Sequence, residues 1–169
     1  MSKAVMNKVV LGKIVNTYGL KGELKLLVDP DYSDLEFEKD SIILIGEKEY
    51  LLSSYRKKNS LWRISLAQHH DINLVEHLIN SSVVCDLTTV KVLPPGNYYS
   101  HQLLGLTVYS LQDELLGQVI KVEDSGFQKR LRLISPSNKE ILIPWVDFFV
   151  KEIDLASRVI RVALIAGLV

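Results

Sequence analysis

Pro94-Pro95-Gly96-Asn97-Tyr98-Tyr99 interrupts a chain that is otherwise a succession of short β-branched runs, and the strand pattern restarts on its far side. Two prolines and a glycine in four residues cannot continue a sheet or a helix. The stretch therefore predicts two domains: residues 1–93, a linker at 94–99, and residues 100–169. Upstream, period-2 alternation places strands at 8–16, 22–29, 41–45, 49–56 and 61–66, with a tight turn at Gly46-Glu47-Lys48. From Asp71, an N-cap residue type, Ile72, Leu74, Val75, Leu78 and Ile79 recur at helical spacing until Asn80-Ser81-Ser82 ends the run. Strand pieces follow at 83–85 and 90–93. Downstream, strands are expected at 106–110, 115–123, 130–134, 140–144 and 159–162, separated by turn formers at 112–114, 135–138 and 154–157. The fold class that results is mainly β: two small β-barrels, the first carrying one short helix.

The bulk properties narrow the function. With 169 residues and 47% hydrophobic content, the chain has enough apolar surface for packed cores. Its net charge is +0 and the charges balance within each half, so any contact with nucleic acid rests on local patches rather than on overall attraction. No apolar run approaches the ~20 residues of a membrane helix. The amino terminus has no apolar h-region and no small-residue cleavage motif, and Cys85 is the single cysteine. A cytoplasmic protein without membrane, disulfide or multi-cysteine metal site is expected.

Three motifs stand out. Gly12-Lys-Ile-Val-Asn-Thr-Tyr-Gly-Leu-Lys-Gly-Glu-Leu-Lys-Leu26 places Gly19 and Gly22 around Leu20-Lys21, with Glu23 next, between two strands. Glycines that close together supply positive φ for a tight loop, but their spacing fits neither a P-loop nor a dinucleotide fingerprint. A phosphate cradle is one reading of it, and by itself the loop reads as an ordinary hairpin. Tyr98-Tyr99-Ser-His-Gln-Leu-Leu-Gly105 follows the linker, and in an extended segment adjacent side chains point to opposite faces. The third motif is Leu115-Leu-Gly-Gln-Val119, followed by Glu140-Ile-Leu-Ile-Pro144 and a Gly-Leu-Val ending.

In this order, over essentially the whole chain, these motifs resemble the RimM family of bacterial small-subunit ribosome maturation factors. The resemblance implies an amino-terminal six-stranded barrel like that of translation elongation factors and a carboxy-terminal PRC-barrel. It further implies action on the head of the immature small subunit, through ribosomal protein nineteen of that subunit and nearby ribosomal RNA. Tyr98 and Tyr99 would belong to the surface that engages the ribosomal protein, and Gly19 to Glu23 would form a loop contacting the ribosome. The chain departs from the family at three places: Tyr18 stands for a histidine, Gln102 for an aspartate, and Gln128-Lys129 for an Asn-Asp turn.

The remaining candidate residues each have a structural reading beside the functional one. Arg56-Lys57-Lys58 and Lys129-Arg130 with Arg132 are the dense basic spots; each could meet phosphates, or be a solvated turn. The acidic loop from Asp29 to Asp40 could face a basic protein or simply add solubility. His69, His70, His77 and His101 lack metal-site spacing, and Cys85 has no base nominated beside it. Trp62 and Trp145 are expected as core or interdomain anchors. The expectation is a non-enzymatic monomer without cofactor or metal, whose only output is binding. The competing readings are a generic PRC-barrel scaffold and an RNA-acting enzyme using Lys21, Glu23 or His101. The second of these has no recognised catalytic constellation to support it.

Overall fold

Leu24, Leu26 and Val28 alternate with Glu23, Lys25 and Leu27, and Trp62, Ile64 and Leu66 with Leu61, Arg63 and Ser65; in each set the first three are buried and the others face outward. This alternation gives the strands β2 (Glu23–Val28) and β5 (Leu61–Leu66) one dry face, and six such apolar side chains contribute roughly 1.5–3 kcal/mol each on burial. The computed structural model describes residues 7–124 and 127–163. The chain divides into two compact units, Met1–Pro95 and Gly96–Val169.

In the first unit β1 (Lys8–Tyr18), β2, β5, β4 (Lys48–Lys58), β3 (Ser41–Ile45) and β6 (Ser82–Asp86) form a closed barrel in that order. Pairing of β6 with β1 closes the sheet and removes its edges. Bulges in β1 and β4 bend the strands around the barrel. Gly12 sits at one of them: a Cβ there would lie 2.0 Å from the Leu27 carbonyl oxygen, so only glycine lets the two backbones approach. Gly46 and Glu47, both with positive φ, form the two-residue turn between β3 and β4.

The expected short helix is present. The Asp71 carboxylate accepts from the Asn73 N–H at 2.8 Å and starts α1 (Ile72–Val75), which tightens into a 3-10 turn at Glu76–Leu78. Its end has a visible cause: Asn80 N–H donates to Ile14 O and Ile14 N–H donates to Ser81 O, which draws the chain back onto β1. The strand expected at 90–93 is corrected. After a 3-10 turn at Leu87–Thr89, Val90 makes a single bridge to Phe37, and Val92 is 95% exposed. With β6 already paired to β1, no edge is left for it to join.

The second unit opens with α2 (Ser100–Leu103), followed by β7 (Thr107–Ser110), β8 (Leu115–Asp124), β9 (Lys129–Ile134), β10 (Glu140–Pro144), β11 (Val150–Asp154) and β12 (Val159–Val162). The sheet order is β10-β9-β8-β7-β12-β11, with β12 parallel to β7 and the other pairs antiparallel. Buried residues from β7 to β10 and β12, joined by the partly buried Val150 and Ile153 of β11, share one core, so the sheet rolls around it. Gly117 in the Leu115–Val119 motif is another close approach, since a Cβ would lie 2.3 Å from Ile134 O. Two elements were not expected from sequence, α2 and β11. Of the five residues of β11, only Val150 and Ile153 are apolar and neither is fully buried, so its periodicity is weak.

Candidate interaction surfaces

In the first unit the glycine loop joins β1 to β2. Gly19 has φ +65 and Gly22 has φ +84, a region that L side chains rarely occupy. Gly22 is also pressed against the segment before α1, where a Cβ would meet His69 O at 2.1 Å, while a Cβ on Gly19 would face open space. Ile72 N–H donates to Leu20 O at 2.9 Å, so the loop is docked by its backbone. Leu20, 76% exposed, and Lys21 project outward. Glu23 does not stand as a poised base beside Lys21: its Oε2 lies 3.2 Å from Arg63 Nε.

The basic spot at 56–58 splits by direction. Lys57 turns back on the barrel, bonding the Leu35 carbonyl and the Glu36 carboxylate, with its ammonium 4.9 Å from the centroid of Trp62. Arg56 and Lys58 point outward. Trp62 is a core residue, 1% exposed, stacked on Tyr55 and edge-on to Phe37.

In the second unit the tyrosines have different surroundings. Tyr98 packs against the core and its hydroxyl donates to Ile153 O at 3.3 Å, yet it remains partly exposed. Tyr99 is 5% exposed, and its ring stacks on His101 at 5.9 Å. The Tyr99 N–H donates to Gln102 Oε1 at 2.7 Å, so Gln102 caps the first turn of α2. Tyr98 lines an open groove of about 410 Å³ with Gly96, Phe127, Lys129, Trp145 and Asp147. Phe127 is fully exposed, and the Lys129 ammonium lies 5.2 Å over the partly buried Trp145 ring. Tyr98, Lys129 and Trp145 stand out separately in the sequence and Phe127 and Asp147 do not; a groove assembled from three separated segments leaves no local signal. Arg132, in contrast, is occupied. It donates to Glu123 at 2.6 Å and Glu140 at 2.5 Å, while Arg130 lies 3.4 Å from Glu123. The Arg132 hydrogen bond, against a smaller opposing effect of burial, holds the Glu123 carboxyl below the usual carboxylate range.

Two family models cover the chain: the RimM N-terminal domain matches residues 9–90 and the RimM PRC barrel domain matches residues 100–168. The chain belongs to the RimM family. Ribosome maturation factor RimM of Alkaliphilus oremlandii is 32% identical over 94% of this chain and 96% of its own length. Its counterpart in Oenococcus oeni is 28% identical over 96% and 98% respectively. A crystal structure of RimM from Pseudomonas aeruginosa, 27% identical, covers 94% of this chain and 98% of its own, with a TM-score of 0.39. Membership of the RimM ribosome maturation factor family is thus shown by sequence in both units. Among the described residues no helix is long and apolar enough to cross a membrane, and no group of three His, Cys, Asp or Glu side chains gathers to hold a metal ion.

Proposed function

We propose that this RimM protein is a non-enzymatic assembly factor of the cytoplasm that binds the head of the immature small ribosomal subunit as a monomer, through ribosomal protein nineteen and nearby ribosomal RNA. The observation that carries the protein contact is the groove beside Tyr98. A partly exposed tyrosine, a fully exposed Phe127 and a Trp145 overlaid by Lys129 line one open surface, which is the residue chemistry of an interface anchor. Tyr98 is the ring a partner reaches; Tyr99, being buried, acts from behind by fixing α2. The glycine loop with Leu20 and Lys21 forms a second contact, on the first unit.

The test is co-sedimentation of the full-length protein with immature and mature small subunits, alongside titration against the isolated ribosomal protein. Binding restricted to immature subunits and weakened by Tyr98→Ala supports the reading. Equal binding to both subunit forms, or saturable turnover of RNA abolished by Lys21→Ala or Glu23→Gln, overturns it.

A further inference from the structure

Strand register in the first unit aligns three cations that lie far apart in sequence. Lys25 on β2 pairs with Arg63 on β5, and Arg63 pairs with Arg56 on β4. All three belong to the outward-facing set of their strands. Adjacent strands are about 4.8 Å apart, so the row spans roughly 10 Å. Like charges directly opposite one another destabilise a sheet. Within the row and its two neighbours the single carboxylate is Glu23, whose contact with Arg63 offsets one charge of three. On one side of the row Leu27 pairs with Leu61, 51% and 41% exposed, flanked by Lys13 and Lys58. On the other side Tyr18 lies under the Arg63 guanidinium at 4.3 Å, with the Lys25 ammonium at 5.8 Å. Tyr18 thus holds the central arginine by stacking, which fixes its plane before any ligand arrives.

A neutral chain that concentrates cations in one row, against the stability of its own sheet, points to a ligand with closely spaced negative charge. We propose that the outer face of β2, β5 and β4 binds the phosphodiester backbone of RNA, with Lys25, Arg63 and Arg56 on successive phosphates and Leu27 and Leu61 against the sugars. The inference rests on the reading of the chain as a factor that touches ribosomal RNA, and adds where it does so. Backbone recognition of this kind is indifferent to base sequence and steeply salt-dependent.

The test titrates a fluorescein-labelled RNA hairpin with the full-length protein over a range of salt concentrations. The probe for a different anionic surface is a vesicle containing phosphatidylglycerol. Lys25→Gln combined with Arg56→Gln is expected to weaken RNA binding about 10- to 100-fold and to flatten the slope of log affinity against log salt by roughly 1 to 2. Thermal unfolding of that variant should stay level or rise, because like-charge contacts are relieved. The control Lys139→Gln, in the second unit, should leave RNA binding unchanged. Unchanged RNA affinity in the double variant, an equal loss in the control, or wild-type binding to vesicles as tight as to RNA would overturn the proposal. The two readings fail separately. Wild-type protein that pellets with immature subunits but binds no hairpin loses this surface and keeps the proposed function; hairpin binding that the double variant abolishes, without subunit binding, does the reverse.

Discussion

Gly19 and Gly22 share a left-handed backbone but not their surroundings, and the difference can be measured. At Gly19 an added methyl meets nothing, so Gly19→Ala should cost about 1 kcal/mol, the ordinary penalty of that conformation. At Gly22 the same methyl also collides with the His69 carbonyl, and Gly22→Ala should cost about 3 kcal/mol or more by urea unfolding. Equal costs would remove the close approach as the reason for glycine there. The tyrosines separate in the same way. Tyr98→Ala should lower affinity for the ribosomal protein about 30-fold, near 2 kcal/mol, with a smaller loss of folding stability than at Tyr99 because its ring is only partly buried. Tyr99→Ala should cost about 3 kcal/mol of folding stability, because it empties a buried site. Cys85 gives a pH signature: burial, aided by Asp86, pushes its thiol up to about 12 from an ordinary 9.0. Below pH 9 both folded and unfolded thiols are protonated, and the stabilising difference is whole. As pH rises from 9 towards 12 the unfolded thiol ionises first, so stability should fall across that window in the wild type and less steeply in Cys85→Ala.

At the scale of elements, β8, β9 and β10 are laced by Arg132 between Glu123 and Glu140. Since Glu123 is held below its usual range, its contribution is present at neutral pH and disappears as pH falls through the depressed value. Glu123→Gln should therefore flatten the acid limb of the stability profile, and an unchanged limb would show the pair to be idle. Elements such as β2 and β5 were legible in the sequence because one face is dry and the other wet, which writes the period-2 pattern directly. β11 was not, because two half-buried apolar residues in five carry too little pattern, and α2 was not, because a four-residue helix set by the Gln102 cap has no room for a period. The end of the first unit misled in the opposite sense: 90–93 has strand composition, but the barrel it would join is complete. Register is the feature that no stretch encodes alone. For that reason Arg56 appeared in the sequence only as part of a basic turn, and its alignment with Arg63 and Lys25 appeared only with the sheet.

For the whole molecule, the family was legible because glycine loop, tyrosine pair and the later motifs keep their order along the entire chain. The site was legible only in part, since Phe127 and Asp147 reach the Tyr98 groove through folding. Each unit has its own buried core, so fragments 1–95 and 96–169 expressed separately should each unfold cooperatively. A fragment without a sigmoidal melt would tie its stability to the other. One topological fact bears on how the protein is made. In the first unit the opening strand β1 is sealed by the last, β6, and in the second β7 takes β12 as its parallel neighbour. Contacts this distant in sequence are slow to form, and during synthesis neither can form until the last strand of its unit has left the translating ribosome. The growing chain must carry β1, and later β7, as unpaired sheet edges for most of each unit's translation, the interval in which a nascent polypeptide is most open to mispairing.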